Sequence, residues 1–214
     1  VVLVEPLSLA TVQRALALPG FDGRAAQLRM APAPRPIERD PAQSGLPRTA
    51  AVLLLLYPLE DGELAFPLMK RNEYPGVHSG QISLPGGSAE PGETPQQTAL
   101  RETCEEFGVC EGVELLGLLT PLYVPPSDFE IHPVVGWSAA RPVFQPDPRE
   151  VAALLEIPLS HLLEDARKLT GNWELRSGIE TAVRYYDLGA SVVWGATAII
   201  LSEFEQRLRA SVSI

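Results

Sequence analysis

Three glutamates, Glu102, Glu105 and Glu106, lie within five positions of one another in "GGSAEPGETPQQTALRETCEEFGV" (residues 86–109), just ahead of Gly108. On a helix they share about 100° of arc, at roughly 100° per residue. The position is an awkward one. Each acid near a helix C-terminus faces unpaired carbonyls and costs about 0.3–1 kcal/mol, and each like-charged neighbour adds a few tenths more. A solvated acidic face tolerates such costs, so the spacing alone fits an exposed surface. A hard dication such as Mg²⁺ uses the same cluster differently, taking the carboxylates as ligands and bridging them to phosphate oxygens.

The surrounding residues specify the helix that carries these acids. Thr94 is an N-cap, Pro95 suits the first helical position, Gln97 completes a capping box and Gly108 stops the helix, giving a span from about Pro95 to Phe107. Ala99, Leu100, Thr103, Cys104 and Phe107 occupy the opposite, core-facing arc. Arg101 lies beside the acidic face, within reach of Glu93 in the preceding loop.

Around this segment the chain reads as a mixed α/β domain. "SLATVQRALALPG" is a short amphipathic helix capped by Ser8, and residues 31–47 hold five prolines in a linker or surface strap. "AAVLLLLY" is the apolar run of a strand covered on both faces, and Asp61-Gly62 turns it into "ELAFPLMKR". Strands are expected at "QISL", "VELLGLL" and "IHPVVGW". "REVAALLEIPLSHLLED" gives a short helix or turn, a strand and a helix; "TAVRYYDL" and "VVW" form a hairpin; "GATAIILSEFEQRLRA" is a closing helix with Ala198, Leu201, Phe204 and Leu208 on its apolar side. The expected architecture is a mixed sheet with helices on both faces, divided into an N-terminal extension (1–48) and a main domain (49–214).

Composition limits the function classes. A net charge of −10 argues against a nucleic-acid scaffold, and 45% hydrophobic residues suffice for a core. The N-terminal "VVLVEPLSLATV" lacks a basic n-region, so no signal peptide is expected, and the longest apolar stretch is too short to span a bilayer. Val1 stands where an initiator Met would, so a native start further upstream is expected. Cys104 and Cys110 read as two partly buried thiols, consistent with a reducing, cytoplasmic compartment.

The full pattern goes beyond an acidic face. Gly87, five residues, Glu93, seven residues, Arg101-Glu102, two residues, Glu105-Glu106, one residue, Gly108 and Val109 resembles the Nudix box, with Thr103 where an aliphatic residue is usual. The resemblance implies an α/β/α sandwich around a mixed sheet (the Nudix fold) and metal-dependent hydrolysis of a diphosphate linking a nucleoside to another group. It implies that Glu102, Glu105, Glu106 and the Gly86 carbonyl ligate Mg²⁺ or Mn²⁺, and that Arg101 and Glu93 pair to hold loop to helix. The general base stays open between Glu102 and Glu150, the latter in "DPREV". The implied partner is a small nucleotide diphosphate, with no nucleic acid and no membrane; many members dimerise, so a homodimer is an open expectation.

"RNEYPGVHSGQISLPGG", "LTPLYVPPSDFEIHPVVGW" and "WGATAIILSEF" further resemble the coenzyme A pyrophosphatase branch. Arg71, Gly80 and Pro85-Gly86-Gly87 match that branch's upstream signature, while its second Arg is Gly76 here, its aromatic Leu84 and its Thr Met69. Arg71, His78, Gln81 and Gly87 are therefore the candidate substrate contacts, with Tyr74, Tyr123 and Phe129 as rings that could border the site. The implied products from coenzyme A are adenosine 3′,5′-bisphosphate and 4′-phosphopantetheine. The alternatives are a Nudix diphosphatase for ADP-ribose, NADH or another nucleotide, and a non-catalytic nucleotide-sensing module. Ser127, Asp128 and His132 have the residue types of a hydrolase triad but no nucleophile-elbow context.

Overall fold

The structure, a computed structural model, describes residues 7–32, 45–72, 80–174, 180–189 and 192–212. They fall into two compact units, one from Pro36–Pro158 and the other from Val1–Arg35 together with Leu159–Ile214. Among the described residues no helix is long and apolar enough to cross a membrane.

The Pro36–Pro158 unit contains β1 (Arg48–Pro58), β2 (Leu64–Arg71), β3 (Ile82–Ser83), β4 (Gly86–Ser88), α3 (Pro95–Phe107), β5 (Glu114–Leu118), β6 (Leu122–Val124), β7 (Phe129–Trp137) and β8 (Val151–Pro158). The strands form one mixed sheet in the order β3-β2-β1-β7-β5, with β4 on β1, β6 on β7 and β8 on β2. The apolar run sits at its centre. Leu53 to Tyr57 are fully buried, which a strand covered on both faces requires. β1 pairs in parallel with β7 along its length, from Arg48 opposite Phe129 to Leu56 opposite Trp137. Its other edge is shared between β4 near Ala51 and β2 near Tyr57, the latter entered through the expected turn. Ala51, Leu53, Leu55 and Tyr57 pack with Ala99 and Phe107 of α3, which is how the sheet fixes the acidic helix.

The turn from β3 into β4 is set by Gly86. Its φ is 149°, and a Cβ there would lie 2.2 Å from the Ala51 carbonyl oxygen and 2.6 Å from the Val52 Cα. Both obstacles are backbone atoms of the central strand. Only glycine lets the loop press this close to β1.

The second unit contains α1 (Leu9–Leu16), α2 (Gly23–Leu28), α4 (Ser160–Leu163), β9 (Lys168–Glu174), β10 (Glu180–Asp187), β11 (Val192–Val193) and α5 (Gly195–Ser211). Ser8 caps α1 as expected. Compactness here does not follow a division at 48/49: α1 and α2 pack on α5, because an eight-residue amphipathic helix cannot bury its apolar stripe alone. The proline-rich strap at 33–44 lies outside the described residues. α5 buries Glu203 and Glu205 at no more than 1% exposure. Both are satisfied, Glu203 by Gln27 and Arg207, Glu205 by Lys168, Tyr186 and Arg209. The expected late hairpin is β10 with β11, and β9 joins it as a strand that "KLTGNWE" does not announce, since Gly171 and Asn172 interrupt its periodicity.

Cys104 and Cys110 correct an expectation. They are joined in a disulfide, their Cα atoms brought to 4.4 Å by the left-handed turn at Gly108. The thiol premise for a reducing compartment falls with it.

Gly86→Ala is expected to lower stability by at least about 3 kcal/mol, because neither backbone obstacle can yield without breaking the β1–β4 pairing. A urea titration checks this; a loss below 1 kcal/mol would show that the loop has room the geometry denies.

Candidate active site

α3 begins and ends as its sequence dictates. The Thr94 hydroxyl accepts from the Gln97 N–H, the Gln97 side chain accepts from the Thr94 N–H at 2.8 Å, and Gly108 closes the helix in the left-handed conformation. Thr103, the departure from the box pattern, is buried with its hydroxyl donating to the Ala99 carbonyl at 2.7 Å, so it leaves no polar group unsatisfied.

The three glutamates are not equivalent. Glu105 is exposed, Glu102 is largely covered and Glu106 is 1% exposed, on the helix edge that meets the sheet. Arg101 organises the outer pair. Its Nε and Nη2 bind both oxygens of Glu93 at 2.8 and 3.1 Å, Nη2 also reaches the Ser88 carbonyl, and Nη1 donates to Glu102 at 2.9 Å and Glu105 at 3.2 Å. All five guanidinium donors are thereby used. Glu93 also accepts from the Glu90 N–H and the Thr98 hydroxyl. These hydrogen bonds, Arg101 foremost, hold the Glu93 carboxyl down at about 2. Loop and helix are joined through the Arg101–Glu93 pair.

Glu106 faces inward. One oxygen accepts from the Gly86 N–H at 2.7 Å; the other, Oε1, is buried with no hydrogen-bond donor, the nearest guanidinium nitrogen of Arg71 being 3.6 Å away. Burial pushes its carboxyl up to about 8, against the opposing pull of Arg71 and the Gly86 N–H, and the charges of Glu102 and Glu150 push it further. Burial likewise raises Glu102 despite Arg101. Beside it, a Cβ on Gly87 would lie 2.5 Å from Glu102 Oε1, so this glycine makes room for the carboxylate.

Among the described residues no three acidic, imidazole or thiol side chains converge into a ready cation cage, since Arg101 draws Glu102 and Glu105 toward itself. The donor set nonetheless fits a hard dication. Glu106 presents a buried oxygen lacking a donor, and Glu102 and Glu105 offer further carboxylates from the same helix.

The other predicted residues divide clearly. Arg71, at the end of β2, reaches Glu106 and belongs to the cluster. Gln81 meets Arg71 through its backbone, its carbonyl accepting the Arg71 N–H at 2.9 Å. Tyr74, Gly76 and His78 lie outside the described residues. Tyr123 donates to Asp128, and Phe129 lies beneath the Arg48 guanidinium, so both rings are engaged at the start of β7. Ser127, Asp128 and His132 make no triad: the Ser127 hydroxyl bonds Val124, Asp128 bonds Tyr123, and His132 lies against Glu130.

Sequence reasoning named Glu150 but passed over the contacts by which residues 144–147 tie its turn to α3. Phe144 packs edge-on against Phe107, Gln145 N–H donates to the Phe107 carbonyl, and Asp147 N–H donates to the Glu106 carbonyl at 3.0 Å. This stitches the turn carrying Glu150 to the end of α3, where its charge is felt by Glu102 and Glu106. The carboxylate of Glu150 is exposed.

Residues 47–176 match the model of the NUDIX domain. The chain is 35% identical over 186 residues to a Nudix hydrolase, NudL, of Pectobacterium atrosepticum, covering 83% of this chain and 88% of that protein. It is 35% identical over 163 residues to the chloroplastic Nudix hydrolase 22 of Arabidopsis thaliana, covering 72% of this chain but only 53% of the plant protein, so it spans about half the length of that relative. Among solved structures, the Nudix hydrolase RenU of M. smegmatis superposes with a TM-score of 0.53 at 20% identity, over 80% of this chain and 89% of that one, a likeness of fold.

The buried carboxyl gives a pH-dependent stability with a definite sign. Glu106 titrates near its ordinary 4.5 when unfolded and at about 8 when folded, so its favourable contribution is complete below 4.5 and lost as pH rises through 8. Metal-free protein is expected to lose roughly 2–4 kcal/mol more between pH 5 and 9 than a Glu106→Gln variant does. Urea titrations in chelator at both pH values measure it; parallel losses would remove Glu106 as the cause.

Proposed function

The chain belongs to the NUDIX domain family, and from that premise we propose that it hydrolyses a diphosphate linkage in a nucleoside-containing small molecule, with coenzyme A or a derivative as the first candidate substrate. The observation that carries the reading is Glu106: a carboxylate oxygen buried without a donor, between the glycine loop and Arg71, is costly to ionise unless a cation completes it.

Nudix hydrolases generally depend on a divalent metal, and here Glu102, Glu105, Glu106 and the Gly86 carbonyl would hold Mg²⁺ or Mn²⁺. When bound, such an ion neutralises diphosphate charge and acidifies water. The remaining work falls to the chain's own groups. Arg71, half-covered beside Glu106, is placed to take a phosphate oxygen of the substrate. Gly87 keeps the loop clear of Glu102. Arg101, saturated by five acceptors, holds loop and helix in register rather than binding substrate.

For the proton of the attacking water the two candidates differ in their commitments. Glu102 already accepts from Arg101, whereas the Glu150 carboxylate is exposed at the rim and has no hydrogen bond or ion pair among the described residues. Glu150 is therefore assigned as the base. Water attacks one phosphorus, the bridging P–O bond breaks, and the proton passes to Glu150; from coenzyme A this leaves adenosine 3′,5′-bisphosphate and 4′-phosphopantetheine. Because Gly76 stands where the coenzyme A signature carries its second Arg, ADP-ribose, NADH and nucleoside triphosphates are the competing substrates.

Purified protein with Mg²⁺ or Mn²⁺, offered coenzyme A, ADP-ribose, NADH and a nucleoside triphosphate, is expected to cleave a phosphoanhydride, with products identified by mass spectrometry. Glu106→Gln is expected to abolish that turnover while keeping its fold. Nucleotide binding without turnover of any substrate would leave a sensing module instead. Separately, Glu150→Gln should lower kcat about a hundredfold with little change in KM; full activity would return the base to Glu102.

A further inference from the structure

Glu150 sits on an exposed turn, close to carboxylates of its own sign. Left to itself, such a turn would relax away from the cluster, so something must hold it. At its near end the Gln145 and Asp147 N–H groups donate to the Phe107 and Glu106 carbonyls of α3. Within the turn, the Asp147 carbonyl accepts from the Glu150 N–H at 3.1 Å and the Val151 N–H at 2.9 Å, and its carboxylate grips Arg149.

At its far end, beside the pairing of Arg71 with Val151, the turn is held by Asn72. Its backbone N–H donates to the Glu150 carbonyl at 3.0 Å, and its side-chain Nδ2 donates to the Pro148 carbonyl at 2.9 Å. Asn72 directly follows Arg71, the residue that reaches Glu106. The strand pairing is irregular at this point: Lys70 lies opposite Ala153 but Arg71 opposite Val151, leaving Ala152 as an extra residue. A bulge of this kind re-aims the chain beside it. The bulge directs the turn toward the helix, and Asn72 fixes it there.

We propose that Asn72 is a positioning residue of the hydrolytic site, holding the 147–151 turn so that the Glu150 carboxylate stays beside Glu102 and Glu106. The proposal rests on the assignment of Glu150 as a participant in catalysis. Asn72 touches no reacting atom and acts only through that turn. Removing Nδ2 leaves the backbone bond to Glu150 in place, so the turn loosens rather than unfolds.

The test is a double-mutant comparison of Asn72→Ala, Glu150→Gln and the two combined. Asn72→Ala is expected to lower kcat about ten- to a hundredfold, the scale on which a small misplacement of a catalytic group is felt, with KM and melting temperature unchanged. With Gln at position 150 the same replacement should cost nothing further. Losses that multiply, or a change confined to KM, would overturn the proposal. Amide hydrogen exchange supplies a readout that needs no substrate: Asn72→Ala should speed exchange in 147–151 and leave α3 protected. Unchanged exchange in the turn overturns the clamp even if the enzyme is active; faster exchange in a protein that cleaves no diphosphate upholds the clamp and faults the hydrolase reading instead.

Discussion

A carboxylate taken out of water must be paired, protonated or liganded, and the Pro36–Pro158 unit is built around one such group. Glu106 is anchored by a single N–H from Gly86, and that donor is available only because glycine lets the loop lie against β1. The loop in turn lies there because β1 offers its edge to β4 before it passes to β2. Central strand, glycine turn and helix thus meet at one hydrogen bond.

Two guanidiniums divide the acidic surroundings between them. Arg101 gathers Glu93, Glu102 and Glu105 on the outer side, and Arg71 approaches Glu106 from the sheet. The first is spent on internal architecture, with every donor engaged; the second is only loosely paired. A charge without a full set of partners is the one a substrate can recruit.

Much of this was legible in the residues, and the illegible part has physical causes. The helix limits, the capping box, the Glu93–Arg101 pair and the two-sided burial of β1 follow from local chemistry: a cap, a proline, a left-handed stop, an unbroken apolar run. Burial of Glu106 was not legible, because helical phase puts it beside Glu102 and does not say which edge meets the sheet. Nor was the closeness of Glu150, which lies 44 positions beyond Glu106 and arrives through a bulge and a turn whose contacts are nearly all to backbone carbonyls, groups common to every residue type. β9 hides for another reason: a strand containing Gly171 and Asn172 is made by its partner β10 rather than by its own propensity.

The disulfide at the end of α3 has a topological consequence. Cys104 and Cys110 close a covalent macrocycle, and Glu105, Glu106 and Gly108 are all members of it. A macrocycle outlives the loss of every non-covalent contact around it. With the bond formed, the turn that ends the acidic helix cannot open into an extended chain even when the sheet has melted, so Glu105, Glu106 and Gly108 stay within one closed loop in the unfolded protein. The order of the site's most crowded corner is in that sense partly written into bonds rather than into packing.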